Sequence, residues 1–188
     1  MASYELFKNS IEQAEGGYQN LVKDKGNYNS NGDRVGTNHG VSARFYETIT
    51  GFPPSIEEMK AITKEEAHII FKNEFWDRIK GDQIQSQKVA EIIADHAINA
   101  GVGAAAKVTQ MALKSLGENI KVDHSIGNVT LNAINATSEK ALFEKIAQER
   151  IKDYENMEDF KSFGRIWTKR VYDLAKKFNV EIKKKRLN

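Results

Sequence analysis

Proline occurs in this 188-residue chain only as the adjacent pair Pro53-Pro54. Proline removes an amide donor and collides with the preceding helical turn, so its absence elsewhere leaves long stretches free to be helical. Apolar residues at three- and four-residue spacing fill most of those stretches, and the expected fold class is mainly α. Tyr4, Phe7, Ile11 and Ala14 mark one face of a first helix, which Gly16-Gly17 ends. Ser42 is placed to cap a short helix carrying Phe45 and Tyr46. Ser55…Glu58 and Thr63…Glu66 each fit the capping box, in which a hydroxyl and a carboxylate satisfy each other's backbone amides. The second of these helices continues through Ala67, Ile70, Phe71 and Phe75. Val89, Ile92, Ile93, Ala97 and Ala100 give the next, ended near Gly101 and Gly103. Val108, Met111, Ala112 and Leu116 give another, ended by Gly117, with a polar turn over 118–127. Phe143, Ile146, Ala147, Ile151 and Tyr154 mark a long helix after Ser138, and Trp167, Val171, Leu174 and Phe178 mark the last.

Residues 18–42 break this pattern. They are polar, rich in Gly, Asn and Asp, and carry no helical period, which predicts a long loop or a small hairpin region. A loop of that length in a compact protein is usually functional or disordered. The weakest point later in the chain is Lys80-Gly81-Asp82. It divides the sequence into lobes 1–80 and 81–188, expected to pack together as one compact unit because short helices need each other's apolar faces.

Composition narrows the chemistry. With 28 basic and 26 acidic residues the formal net charge is only +2, so charge alone does not make the chain a polyanion binder, and no nucleic-acid partner is expected. The basic end, Lys183-Lys184-Lys185-Arg186, reads as a solvated tail or as an attraction for anionic wall polymers or headgroups. The lack of cysteine removes thiol nucleophiles, disulfides and Cys-ligated zinc together. His39, His68, His96 and His124 do not have the spacing of a helical zinc motif, and His96 falls on the apolar side of its helix as a satisfied core residue. Neither a phosphate-binding Gly-rich loop nor a nucleophile elbow is present. No metal or organic cofactor is expected. The N-terminus lacks the basic and apolar regions of a signal peptide, and no apolar run is long enough to span a membrane. The expectation is a monomer without stable membrane insertion, cytoplasmic until released.

Glu15 is the sharpest local feature. It stands at the C-terminal end of the first helix, where the helix dipole disfavours a carboxylate, and desolvation there raises a carboxyl pKa further. A carboxylic acid that keeps its proton near neutral pH is what protonates the leaving oxygen in glycoside cleavage. The two glycines beside it leave room for a sugar. Asp24 and Asp33 in the polar loop are candidates for a second carboxylate. Thr37-Asn38-His39-Gly40-Val41 offers a hydroxyl and an amide to hold a water or a sugar. Tyr18, Tyr28, Phe45, Tyr46, Phe75 and Trp76 are candidates for stacking faces, although most aromatics on helices belong to cores.

Glu15-Gly16-Gly17-Tyr18, Asp24 nine residues beyond the Glu, Gly26, and Thr37-Asn38-His39-Gly40-Val41 together resemble the opening signature of glycoside hydrolase family 108, lysozyme-like muramidases of phages and bacteria. Asn27 stands where the family pattern has the second Gly of a pair, and an insertion over Tyr28–Gly36 separates Asp24 from Thr37. Asp24 fits by its distance from Glu15 and Asp33 by its proximity to Thr37. Phe75-Trp76-Asp77, Asp95-His96-Ala97-Ile98-Asn99-Ala100-Gly101, Gly127…Thr130, Arg150 and Phe163…Trp167…Arg170 continue the likeness into the family's C-terminal peptidoglycan-binding region. The resemblance implies a lysozyme-like helical fold with a small irregular or β-hairpin region after the first helix. It implies hydrolysis of the β-1,4 bond between N-acetylmuramic acid and N-acetylglucosamine, with peptidoglycan glycan strands as partner and an endolysin-like role at the cell wall. Glu15 would donate the proton, Asp24 would stabilise the transition state or orient water, and Thr37 would assist. Tyr18, Asn38, His39, Tyr46 and Asn99 would bind substrate. The alternative is a peptidoglycan-binding protein that kept this fold without the chemistry.

Overall fold

The helix starts read from the sequence form as side-chain caps. In the computed structural model, which describes residues 1–14, 16–156 and 160–182, the backbone N–H of Glu58 donates to Ser55 Oγ at 3.1 Å while the N–H of Ser55 donates to Glu58 Oε2 at 2.7 Å. Thr63 and Glu66 repeat the exchange at 3.2 and 2.8 Å. Ser42 Oγ accepts from Phe45 N at 3.3 Å. These bonds satisfy amides that a helix N-terminus otherwise leaves unpaired. They start α2 (Ala43–Thr50), α3 (Ile56–Ala61) and α4 (Lys64–Phe71). With α1 (Tyr4–Ala14), in which Tyr4, Phe7 and Ile11 are buried, and a hairpin of β1 (Thr37–Asn38) and β2 (Val41–Ser42), they make up most of one compact unit, Glu5–Lys72. The side chain of Ala14 and all of Glu15 lie outside the described residues, as do Lys183–Arg186.

A single π turn, Lys72–Trp76, follows α4, so Phe75 continues the helix only in this widened form. The second unit is Met1–Tyr4 together with the chain from Asn73 onward. It contains α5 (Gln87–Ala100), α6 (Val102–Ser115), α7 (Asn128–Ala136), α8 (Glu139–Glu155) and α9 (Phe160–Lys177). Here α5 packs on α6 and α8, α8 packs on α9, and α7 leans on α6 and α8. Among the described residues there are nine α-helices and one two-stranded sheet, and the fold is mainly α and lysozyme-like. The boundary after α5 differs from the sequence reading. Gly101 alone breaks α5 from α6, with φ 90°, and Gly103 lies inside α6. The reading also lacked α7, whose Asn-rich, β-branched sequence NVTLNAINA has weak helix propensity. Tertiary contacts hold it: Thr130, Leu131 and Ile134 are buried, and Gln110 Nε2 donates to Thr130 Oγ1 at 3.1 Å.

The amino-terminal residues belong to this second unit. Ala2 N donates to Ile84 O at 2.7 Å, Ser3 N to Gln87 Oε1 at 2.8 Å, and the Tyr4 ring meets Trp76 edge-on with centroids 5.8 Å apart. Trp76 is fully buried and its indole N–H donates to Asp82 Oδ1 at 2.7 Å. A Cβ at Gly81 would lie 2.3 Å from Trp76 Cε2, so only glycine fits at this corner. A fragment beginning at residue 82 therefore lacks Tyr4, Trp76 and Ile79 from its own core. It is expected to show no cooperative thermal transition by circular dichroism, and a sharp transition would contradict this.

Charge is buried where α5, α8 and α9 meet. Arg150, with no exposed surface, donates from Nη2 to Asp95 Oδ2 at 2.7 Å and to the Tyr154 hydroxyl at 2.9 Å, and from Nη1 to Ile92 O at 3.1 Å. Arg170 Nη2 donates to Asp95 Oδ1 at 2.8 Å. Burial pushes the Asp95 carboxyl up, but the Arg150 and Arg170 guanidiniums together outweigh it and hold the group below its ordinary range. His96 is fully buried, as its place on the apolar face implied, but only half satisfied. Its Nδ1 lies 3.2 Å from the Tyr154 hydroxyl, and its Nε2 has no hydrogen-bond partner. Since Tyr154 already accepts from Arg150, its own proton is best placed toward Nδ1, which leaves the imidazole proton on Nε2.

Burial, and next the Arg150 charge, lower the His96 pKa from 6.5 to about 3. The unfolded chain then binds a proton that the folded chain refuses. The stability present above pH 6.5 is lost as pH falls toward the folded value. Between about pH 7 and pH 5, above the carboxylate range, the wild type is expected to lose about 2 kcal/mol. His96→Phe should flatten that slope in melts recorded across the interval, and an unchanged slope would assign it to another group.

Candidate active site

The polar stretch after α1 is shaped by its backbone. β1 and β2 pair in the register Thr37↔Ser42 and Asn38↔Val41. His39 and Gly40 between them both have positive φ, 45° and 79°, as the tight hairpin turn of type I′ requires. Gln19 N donates to Thr37 O at 2.8 Å and Thr37 N to Gln19 O at 2.9 Å, which fastens the segment after Gly17 to the hairpin. Gly36, with φ 93°, lies under Tyr18: a Cβ there would stand 2.7 Å from both the Tyr18 ring and Gln19 O. The insertion over Tyr28–Gly36 is a closed turn. Asn29 Oδ1 accepts from Asn31 N and Asp33 N at 3.1 and 2.9 Å, and Asn29 Nδ2 donates to Pro54 O at 3.0 Å.

Asp24 and Thr37 are brought into one hydrogen-bonded network, and Asp33 is not. Asp24 caps a 3-10 turn at Lys25–Asn27, its Oδ1 accepting from Gly26 N at 2.9 Å. Its Oδ2 accepts from Gln19 Nε2 at 3.3 Å. The Thr37 hydroxyl donates to Asn27 Oδ1 at 2.6 Å. Gln19 and Asn27 join the two ends through a reciprocal amide pair, Nε2 to Oδ1 and Nδ2 to Oε1, each 3.1 Å. Sequence reasoning missed both linkers. Asn27 entered it only as a departure from a glycine, and polar partners eight residues apart in a loop leave no periodic signal. Asp33 is exposed and its carboxylate makes no hydrogen bond among the described residues.

The remaining candidates are placed as follows. The Tyr18 hydroxyl donates to Val35 O at 3.0 Å, and Lys60 Nζ stands 5.2 Å from the ring centroid. Asn38 is buried, and its Nδ2 is shared among Met59 O, Lys60 O and Ile62 O at 3.1 to 3.2 Å, which ties the hairpin to the end of α3. His39 sits half-buried in the hairpin turn. Tyr46 lines an open groove of about 350 Å³ with Glu58, Ile62, Glu66, Ile69 and Ile70. The amides of Ser55 and Thr63, donating to Glu58 and Glu66, hold those carboxyls below their usual range. Asn99 belongs to the other unit, where its Nδ2 donates to Asp95 O at 2.6 Å within α5. Among the described residues there is no group of three or more His, Asp or Glu side chains placed to hold a metal ion. No helix among them is long and apolar enough to cross a membrane.

Comparison with known proteins agrees with this architecture. No curated protein matches the chain in sequence. The solved structure of Brucella abortus SagA is similar, with 26% identity and a TM-score of 0.80, over 93% of this chain and 92% of that one. Residues 104–172, from α6 into α9, match the family model described as Predicted Peptidoglycan domain. Residues 8–101, half of the chain, run from α1 through the polar network to the end of α5 and match the model of Glycosyl hydrolase 108; the chain therefore belongs to glycosyl hydrolase family 108.

Proposed function

We propose that this glycoside hydrolase is a muramidase, cleaving the β-1,4 bond between N-acetylmuramic acid and N-acetylglucosamine in peptidoglycan strands. Glu15 acts as general acid. Asp24 stabilises the positive charge that develops on the sugar ring or orients the attacking water, and Thr37 helps hold that water. The observation that carries this reading is the network joining Asp24 to Thr37 in the loop directly after Glu15. A general acid needs a counterpart that remains an acceptor, and Asp24 is held as one by Gly26 N and Gln19 Nε2. Residues 1–80 carry the chemistry and 81–188 hold the wall, in keeping with the peptidoglycan-domain match over 104–172. Tyr18, His39 and Tyr46 are the candidates for sugar contacts beside the reacting bond, whereas Asn38 supports the hairpin.

Digestion of purified peptidoglycan, with the new chain ends identified by mass spectrometry, tests this. Muramic acid at the reducing end is the expected product. Glucosamine there, peptides alone, or binding without any new reducing end would each reject the muramidase reading. Asp24→Asn preserves the cap on Gly26 and is expected to lose far more activity than Asp33→Asn, both proteins remaining folded. The reverse order would transfer the role to Asp33.

A further inference from the structure

The polarity of the Thr37 hydroxyl follows from two backbone atoms of Leu21. Leu21 O accepts from the Asn27 amide at 3.0 Å, and a carbonyl can only accept, so the nearby Asn27 atom must be Nδ2. Leu21 N donates to Gln19 at 3.0 Å, so the nearby Gln19 atom must be Oε1. Both amides are thereby fixed. Gln19 Nε2 faces Asn27 Oδ1 and Asp24 Oδ2, and Asn27 Oδ1 faces Thr37. Asn27 has no exposed surface, and its oxygen accepts two bonds while its nitrogen donates two. Its backbone is held as well, with Val35 N and Gly36 N donating to Asn27 O at 2.9 and 3.0 Å. The only proton of the Thr37 hydroxyl is committed to Asn27 Oδ1, so toward anything else beside it Thr37 is an acceptor.

We infer that Asn27 is a positioning residue for the proposed reaction: with Gln19 it locks Thr37 as a hydrogen-bond acceptor and couples it to the Asp24 carboxylate. A hydroxyl held this way accepts an O–H from water and leaves a water lone pair free to attack. A freely rotating hydroxyl would as readily donate to that lone pair and block it. Asp24, held by Gln19 as an acceptor, is the second group of the same polarity. The inference rests on the muramidase reading above, and it concerns a position where this chain departs from the family's glycine.

The test uses soluble uncross-linked glycan strands and the full chain. Asn27→Ala is expected to lower kcat on the order of tenfold to a hundredfold with KM little changed, because the water is misplaced but the sugar contacts remain. Thr37→Val should lose a similar factor, Thr37→Ser less, and the double variant Asn27→Ala/Thr37→Val no more than the worse single one. Gln19→Glu removes the donor to Asp24 and adds a like charge beside it, so the acid limb of the pH–rate profile should move to higher pH. Near wild-type kcat in Asn27→Ala, or losses that multiply in the double variant, would overturn the inference while Glu15 dependence leaves the muramidase reading standing. Should Asn27→Ala fail to fold, an unmoved acid limb in Gln19→Glu overturns it instead. Full activity in Glu15→Gln would overturn the reading and this inference together.

Discussion

Glu15→Gln is expected to slow glycan cleavage by at least about two orders of magnitude while leaving peptidoglycan binding intact, since positioned general acids contribute roughly a hundredfold to ten-thousandfold. The substitution keeps the size and hydrogen-bonding reach of the side chain and removes only the transferable proton. Thermal stability should be unchanged or slightly higher. Glu15 directly follows the last residue of α1, where the helix dipole opposes a negative charge that glutamine does not carry. The wild-type pH–rate profile should fall on the alkaline side as the acid loses its proton, and that limb should vanish in the variant. A variant lysing walls at near wild-type rate would exclude Glu15 as the acid. If wild type and variant are equally inactive on several wall types but both bind, the chain is a wall-binding protein of this fold.

Arg150→Met is expected to be the most damaging single change in the second unit, destabilising it by about 3–5 kcal/mol, the range for breaking a buried ion pair from one side. Methionine fills most of the volume. It leaves Asp95 buried with Arg170 alone, and it removes the donors to Tyr154 and Ile92 O. Arg170→Met is the control. Its side chain is 33% exposed, and Asp95 keeps Arg150, so a loss of about 1 kcal/mol is expected. Urea titrations followed by circular dichroism measure both. The gap between wild type and Arg150→Met should narrow in acid. The folded Asp95 pKa lies below its ordinary 3.8, so the stability gained from ionised Asp95 is complete above that value and is lost as pH falls through the folded one. Equal midpoints for the two variants would mean that the buried guanidinium does not hold α5 to α8.

What could be read from the sequence was local. Ser42, Ser55 and Thr63 act through amides three residues away, so their caps are visible in a short window, and all three formed. Gly101 was legible for the same reason. α7 was not, because Asn128, Asn132 and Asn135 favour turns and its support comes from Gln110 on α6. The Asp95 segment was recognisable as a motif, but that one carboxylate holds two arginines 55 and 75 residues away depends on how three helices meet. Asn27 shows the limit most clearly. Set against the family pattern it was a replaced glycine, yet in the folded loop every polar atom of its side chain is matched, a property of four residues, Gln19, Leu21, Asn27 and Thr37, that no periodicity encodes.

The second unit begins before the first and ends after it, so Glu5–Lys72 is an insertion within its neighbour's sequence. That has a consequence for the order of assembly. Residues 2–4 are synthesised well ahead of Trp76, Ile84 and Gln87, the partners they meet in the folded chain, Ser3 by 84 residues in the case of Gln87. During that interval the inserted stretch is complete while Trp76, Ile84 and Gln87 are still to be made. When Trp76 arrives and the Tyr4 ring docks on it, the contact shuts a loop of about seventy residues, a closure costing roughly 4 kcal/mol in chain entropy. The unit that contains the peptidoglycan-domain match is therefore the last to be completed on the growing chain, and its completion fixes the two points at which the inserted stretch joins it.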